Sequence, residues 1–308
     1  MALLFLSDMD RFEDWAAALL TELPDLDLRS WPEVGDPADI DVALVWHPPR
    51  GELAGYPNLR AILSLGAGVD GILADPGLPD VPLVRMLDPG LTAGMTEYVT
   101  AATLRYHRNL DVYGRTQATG RWVPRTAPAA EDRRVGVLGL GELGGDAARA
   151  FARLGFDTEG WSRTPKQIEG VRCRHGPEGL DALLARTEIL VCLLPLTEAT
   201  ADILDARLFA RLPQGACVIN VARGGHLVEN DLLAALDSGR LAGATLDVFR
   251  TEPLPPDHPF WRHERILVTP HVASMTPPRS AARLVAANIR RLRAGAPLEG
   301  LVDRRRGY

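Results

Sequence analysis

Cysteine is scarce, with three residues in a chain of 308: Cys173, Cys192 and Cys217. They form no CxxC pair and cannot close an even disulfide framework, so a reducing, cytoplasmic compartment is expected. Cys192 and Cys217 sit inside apolar runs, where cysteine acts as a small buried hydrophobe rather than a catalytic thiol. Basic excess is missing too. Lys plus Arg number 34 against 40 Asp plus Glu, a net charge of -6 that repels polyanions and argues against nucleic acid as a partner. The short runs Arg133-Arg134 and Arg304-Arg305-Arg306 read as solvated charge. At the N-terminus there is no basic segment, and the apolar run is far shorter than a signal core or a membrane span, so no membrane partner is expected. No metal-ligand spacing is present, and no metal is expected.

What is there is an ordinary globular composition, 46% hydrophobic and 24% charged, in a chain long enough for two domains at roughly 150 residues each. Apolar runs at 3–6, 42–46, 61–65 and 81–87, with a helical pattern at 12–23, follow the βαβ rhythm of a parallel sheet. Residues 94–113 read as one long helix, and 114–134 as a polar connection. A second strand series follows at 135–138, 158–162, 189–193, 217–221, 244–249 and 266–269, with helices at 143–154, 180–186, 201–212 and 229–238 between the strands. That half reads as a fuller doubly wound sheet. A last helix, 278–294, carries apolar residues on one face and could return the chain to the first domain. The expected fold is α/β, with two Rossmann-like doubly wound domains of parallel sheet and an interdomain active-site cleft. The expected division is 1–95 plus 275–308 for substrate and 96–274 for the dinucleotide.

Gly139-Leu140-Gly141-Glu142-Leu143-Gly144 is a GxGxxG that follows the strand 135–138 and opens a helix. Gly139 permits the tight turn, Gly141 lets backbone approach a pyrophosphate, and Gly144 allows close helix–strand packing, while the helix N-terminus offers N–H groups to the anion. A glycine-rich turn without a ligand is the alternative. Where an NAD site normally places an acidic residue, this chain has Trp161-Ser162-Arg163-Thr164. Arg163 with the hydroxyls of Ser162 and Thr164, and Lys166 nearby, suits a 2′-phosphate that a carboxylate would repel, so NADP(H) is expected over NAD(H). A solvated loop arginine is the plainer reading.

Three later strands end in ionisable groups: Arg223 after Asn220-Val221-Ala222, Glu252 after Asp247-Val248-Phe249, and His271 after Thr269-Pro270. The carboxyl ends of parallel strands are where such sheets place ligands. Singly, each residue has an ordinary explanation as surface charge, loop acid or capped turn. Together with the nucleotide motif they suggest an anion clamp, an orienting acid and a proton donor.

Taken in order, Gly139-x-Gly141-x-x-Gly144, Asn220-Val221-Ala222-Arg223-Gly224, Asp247-Val248-Phe249-x-x-Glu252-Pro253 and Pro270-His271-Val272-Ala273 resemble the D-isomer-specific 2-hydroxyacid dehydrogenases. Trp46-His47-Pro48-Pro49, Gly66-Ala67-Gly68-Val69-Asp70, Trp161-Ser162-Arg163-Thr164 and the terminal run Asp303 to Tyr308 extend the likeness over nearly the whole chain, toward the bacterial NADPH-linked glyoxylate/hydroxypyruvate reductase branch. The resemblance implies a homodimer and a hinged substrate domain. It also implies catalytic roles for Arg223, Glu252 and His271. Cofactor contacts are implied at Glu142, Leu143, Leu194, Pro195, Val221, Ala222 and Asp247, besides the glycines and Ser162, Arg163 and Thr164. Substrate contacts are implied at Trp46, Ala67, Gly68, Val69, Met95 and Arg223, although Trp46 and Met95 also read as core. The other histidines, His226 and His258 among them, have no matched role and read as surface or structural.

Hydride transfer to a 2-oxo acid leaves an alkoxide, which needs a proton and a positive charge as it forms. An imidazolium at His271 held by Glu252, with the planar fork of Arg223 on the substrate, meets that need. The expected function is therefore NADPH-dependent reduction of a small 2-oxo acid, glyoxylate or hydroxypyruvate. A dehydrogenase for a larger acid or phosphoglycerate is the second reading, and no extra regulatory domain is evident. The third is a non-catalytic dinucleotide sensor that binds protein partners, which the complete Arg–Glu–His set disfavours.

Overall fold

The computed structural model describes residues 1–307; Tyr308, which closes the terminal run noted above, lies outside the described residues. The chain begins β1 (Ala2–Leu6), α1 (Phe12–Glu22), β2 (Asp27–Ser30), β3 (Ile40–Val45), β4 (Ala61–Ser64), α2 (Asp70–Leu73), β5 (Leu83–Val84) and α3 (Pro89–His107). It continues through α4 (Leu110–Ala118), β6 (Arg134–Leu138), α5 (Glu142–Arg153), β7 (Asp157–Ser162), β8 (Arg172–His175), α6 (Gly176–Leu184) and β9 (Ile189–Cys192). Last come α7 (Ala206–Arg211), β10 (Ala216–Asn220), α8 (Glu229–Asp237), β11 (Leu241–Leu246), β12 (Ile266–Val268) and α9 (Pro278–Arg293).

Two compact units emerge. Unit 1 is Met1–Leu91 together with the chain from Met275 onward, and unit 2 is Thr92–Ser274. Unit 1 holds a five-stranded sheet in the order β2-β1-β3-β4-β5, and unit 2 a seven-stranded sheet in the order β12-β11-β10-β9-β6-β7-β8. Every strand pair in both sheets is parallel. Such sheets need helices on both faces, which is why β1, β4, β9 and β10 are buried along their whole length and read as continuous apolar runs. In unit 1, Ala281, Ala282, Val285, Ala286 and Ile289 of α9 share an apolar cluster with Trp15 and Leu19 of α1 and with Leu3 and Phe5 of β1.

In doubly wound sheets, ligands gather at the carboxyl ends of strands where the strand order reverses. In unit 2 that reversal falls between β6 and β9, and in unit 1 between β1 and β3.

Four elements depart from the sequence pattern. The helix expected over 94–113 is two helices, because Asn109 adopts a left-handed conformation, φ 57°, between α3 and α4. The helix expected over 201–212 starts only at Ala206: Asp202 is left-handed, and the carboxylate of Asp205 caps the helix by accepting the Leu208 N–H at 2.8 Å. Strands β2 and β8 carry charged sequences with no apolar run and sit at sheet edges, where pairing on one side and solvent on the other permit it. Arg304 is not simply solvated, since its guanidinium donates to the carbonyls of Pro79 and Val81.

Edge strand β8 is held to β7 by charge. Glu159 of β7, with a side chain only 6% exposed, meets Arg172, Arg174 and Arg186, and Asp157 takes a second bond from Arg186 at 2.9 Å.

Candidate active site

The nucleotide motif stands at the switch point of unit 2. Gly139 follows β6 with φ 97°, and its N–H donates to the Trp161 carbonyl at 2.8 Å. A Cβ at Gly144 would lie 1.8 Å from the Gly139 carbonyl oxygen, so no other residue lets α5 start this close to β6. A Cβ at Gly141 would meet nothing within 4 Å. Gly141 is the N-cap of α5 and makes no side-chain cap, which leaves the first turn of that helix to a bound anion. The cradle thus has the open space, backbone donors and dipole that a pyrophosphate needs. Glu142 is exposed and Leu143 half-buried in that first turn. Leu194 and Pro195 follow β9, across the switch point.

At the end of β7 the expected phosphate group divides. The hydroxyl of Ser162 donates to the Thr164 carbonyl at 2.8 Å, so its proton holds the turn. Arg163, Thr164 and Lys166 are exposed.

The strand ends converge within unit 2. Asn220, buried at the end of β10, donates through Nδ2 to the Arg223 carbonyl at 3.0 Å and accepts the Ala222 N–H at 3.2 Å, which turns the chain so that Val221 and Ala222 are buried and Arg223 leaves the strand. A Cβ at Gly224 would fall 1.9 Å from the Phe249 carbonyl carbon, so this turn packs directly on the one leading to Glu252. Nδ1 of His271 lies 2.7 Å from Oε2 of Glu252, and Glu252 Oε1 accepts the Phe249 N–H at 2.8 Å. Burial disfavours the charged form of Glu252, but the His271 hydrogen bond, the Phe249 N–H and the charges of His271 and Arg223 outweigh it, and the carboxyl titrates below its ordinary range. With Nδ1 on Glu252, Nε2 is the ring nitrogen that can deliver a proton.

Asp247, expected at the cofactor, is 1% exposed. Its carboxylate accepts the Thr269 hydroxyl at 2.6 Å and the N–H groups of Val272 and Ala273 at 2.9 and 2.8 Å. Met95 is buried in the apolar cluster of unit 2 that includes Val99 and Ala273.

Unit 1 has its own arrangement. Trp46 follows β3 at that sheet's switch point, and its indole covers Gly66, where a Cβ would lie 2.3 Å from the ring. The His47 ring lies against it, tilted by 31° with centroids 4.5 Å apart, and His47 has a left-handed conformation, φ 48°. The Gly66 N–H donates to the Ser64 hydroxyl at 3.2 Å. Val69 buries its side chain, so only its backbone can serve a ligand, while Ala67 and Gly68 are half-buried.

Four residues given no role from sequence bear on this geometry: Asn220, Tyr98, Thr269 and His226. Asn220 opens a quoted motif and Thr269 directly precedes another, which was the available signal. His226 is fully buried with its ring nitrogens 3.1 and 3.3 Å from the carbonyls of Arg223 and Pro195, and the second of these contacts, 31 positions away, is one that sequence spacing does not show. Cys192 and Cys217 are buried and burial pushes both thiols up to about 12. Among the described residues no helix is long and apolar enough to cross a membrane, and no group of His, Cys, Asp and Glu is placed to hold a metal.

A sequence model for the NAD-binding domain of D-isomer specific 2-hydroxyacid dehydrogenases matches residues 100–273. The chain is 46% identical to a glyoxylate/hydroxypyruvate reductase A of Serratia proteamaculans, over the full length of both. Among solved structures, a D-isomer specific 2-hydroxyacid dehydrogenase of Xanthobacter autotrophicus in complex with NADPH and MES is 48% identical with a TM-score of 0.95, covering 100% of this chain and 99% of that one. An NADPH-dependent glyoxylate/hydroxypyruvate reductase of Sinorhizobium meliloti, in complex with NADP and sulfate, is 41% identical with a TM-score of 0.93 and full coverage of both chains. With its nucleotide cradle at the switch point and its Arg, Glu and His at the strand ends of the same sheet, the chain belongs to the D-isomer specific 2-hydroxyacid dehydrogenase family.

Proposed function

We propose that this protein reduces a small 2-oxo acid, glyoxylate or hydroxypyruvate, to the 2-hydroxy acid with NADPH. The observation that carries this reading is the 2.7 Å pair of His271 and Glu252 beside Arg223, in a sheet whose switch point holds the nucleotide cradle. The Xanthobacter structure is in complex with NADPH and the Sinorhizobium one with NADP, and the Serratia and Sinorhizobium proteins are glyoxylate/hydroxypyruvate reductases.

The cradle Gly139 to Gly144 would take the pyrophosphate, with Glu142 and Leu143 at its rim, and Arg163 with Thr164 and Lys166 the 2′-phosphate. Leu194, Pro195, Val221, Ala222 and Asp247 line the strand ends toward the nicotinamide. When bound, NADPH supplies the hydride. The guanidinium of Arg223 pairs with the carboxylate and ketone oxygen and stabilises the negative charge that grows there. His271 donates its Nε2 proton to that oxygen, and Glu252 keeps the ring oriented and favours its charged form. In unit 1 the backbone of Ala67, Gly68 and Val69 is assigned to the substrate carboxylate, and Trp46 to its substituent, where a bulky indole favours short acids. Met95, buried in the core of unit 2, is assigned to the substrate pocket with less weight.

The chain forms a homodimer. Trp122 is 96% exposed on the irregular segment 121–129, and an indole in that condition is what a second copy would cover. The three unpaired cysteines support a reducing, cytoplasmic setting.

Rates with glyoxylate, hydroxypyruvate and larger 2-oxo acids, each with NADPH and NADH, test the reading. Fastest turnover of a short acid with NADPH is expected, together with loss of reduction in His271→Asn. Binding of NADPH without turnover of any 2-oxo acid would instead establish a sensor.

A further inference from the structure

Helix α3 sends one hydroxyl to the strand-end loops. The Tyr98 hydroxyl oxygen is 2.5 Å from that of Thr269, and the Thr269 hydroxyl donates to Asp247 Oδ1 at 2.6 Å. Threonine has a single hydroxyl proton, and here Asp247 takes it, so Tyr98 must be the donor in its contact with Thr269. The chain of bonds is therefore directed, from Tyr98 to Thr269 to the carboxylate. Asp247 then holds the loop that carries the proton donor. Its carboxylate accepts the Val272 and Ala273 N–H groups, and its backbone carbonyl accepts the His271 N–H at 2.8 Å. His271 itself is left-handed, φ 54°, a conformation unfavourable for a residue with a Cβ and kept only where the surroundings impose it.

We propose that Tyr98 and Thr269 are positioning residues for the reduction, acting through Asp247 on the loop and on the charge of His271. The inference rests on the reading of His271 as the proton donor. Asp247 is buried, and burial drives its carboxyl upward against the bonds from Thr269, Ala273 and Val272 and the charge of His271, leaving it above the ordinary value. The titratable groups facing it are Tyr98 from α3 and His271 from its own loop, and Arg223 and His271 face Glu252. Each of those donors favours the charged form of the carboxylate. Removing the Thr269 hydroxyl favours the neutral acid, withdraws a negative charge from beside the imidazolium, and so favours the neutral ring. Removing the Tyr98 hydroxyl acts in the same direction but more weakly, through one intervening bond.

The test is the NMR titration of the His271 ring in the cofactor-free protein, assigned by its loss in His271→Asn, alongside the pH profile of kcat/KM for reduction. In Thr269→Val the ring midpoint and the alkaline limb of reduction should both move down by roughly half a pH unit or more, and Thr269→Ser should restore them. Tyr98→Phe should show a smaller shift of the same sign, and it carries the test should Thr269→Val fail to fold. Unchanged or raised midpoints, with only the melting temperature lowered, would show that the hydroxyls merely pack the fold and would overturn the proposal. Full reduction by His271→Asn is a separate outcome, which removes His271 as donor whatever the titrations show.

Discussion

His271 and Glu252 are joined by a bond of 2.7 Å between Nδ1 and Oε2, and the same carboxylate takes the Phe249 N–H. One acid therefore holds the ring on one side and the turn at Phe249 on the other. Because Glu252 titrates below its ordinary range, it stays ionised through neutral pH.

In Glu252→Gln the ring keeps a hydrogen-bonding neighbour but loses the opposite charge. The imidazolium is less favoured, so reduction should fail at lower pH than in the wild type, while oxidation, which needs the neutral ring, should extend to lower pH. Profiles of kcat/KM in both directions check this. A limb that stays in place or moves up would break the pairing.

Arg223 leaves β10 through a turn held by Asn220, and the proposed grip on the substrate depends on its planar fork. Arg223→Lys keeps the charge and loses the two-pronged geometry, and kcat/KM for the 2-oxo acid should fall by about 1.5–3 kcal/mol. Steady-state rates with circular dichroism to verify folding decide it, and near-normal kcat/KM would take Arg223 out of the mechanism.

Arg163→Ala removes the exposed cation at the end of β7. Use of NADPH should weaken about ten- to a hundredfold, and NADH use far less, since NADH carries no phosphate there. Ser162, whose proton holds the turn, should behave differently: Ser162→Ala is expected to weaken both cofactors alike. Equal losses for both cofactors in Arg163→Ala would overturn the phosphate assignment.

Trp122→Ser should shift the sedimentation profile from dimer toward monomer with little change in the melting temperature of the monomeric fraction, because the indole packs against almost nothing within its own chain. A monomeric wild type, or an unchanged dimer in the variant, would remove Trp122 from the interface.

Glu159→Ala leaves Arg172, Arg174 and Arg186 around an empty position. Breaking a fully buried pair costs about 3–5 kcal/mol, but these guanidinium groups are each 31–49% exposed, so a loss of about 2 kcal/mol is expected by urea unfolding. No measurable change would mean that solvent screens the whole network.

The sequence by itself carried the parallel α/β rhythm, the nucleotide cradle and the Arg223, Glu252 and His271 set, because each depends on local rules: continuous apolar runs for strands covered on both faces, glycines where a Cβ collides, ionisable residues just past strand ends. The tertiary structure alone decided what depends on neighbours far along the chain. Strands β2 and β8 exist because a sheet edge accepts charged residues, and the break at Asn109 lies in a backbone angle that no periodicity reveals. Only the fold shows that the Ser162 hydroxyl also donates to the Thr164 carbonyl, and that the Asp247 carboxylate also takes bonds from Thr269, Val272 and Ala273. Tyr98 was illegible for the same reason: 171 positions separate it from Thr269, and only the folded sheet brings the two hydroxyls to 2.5 Å.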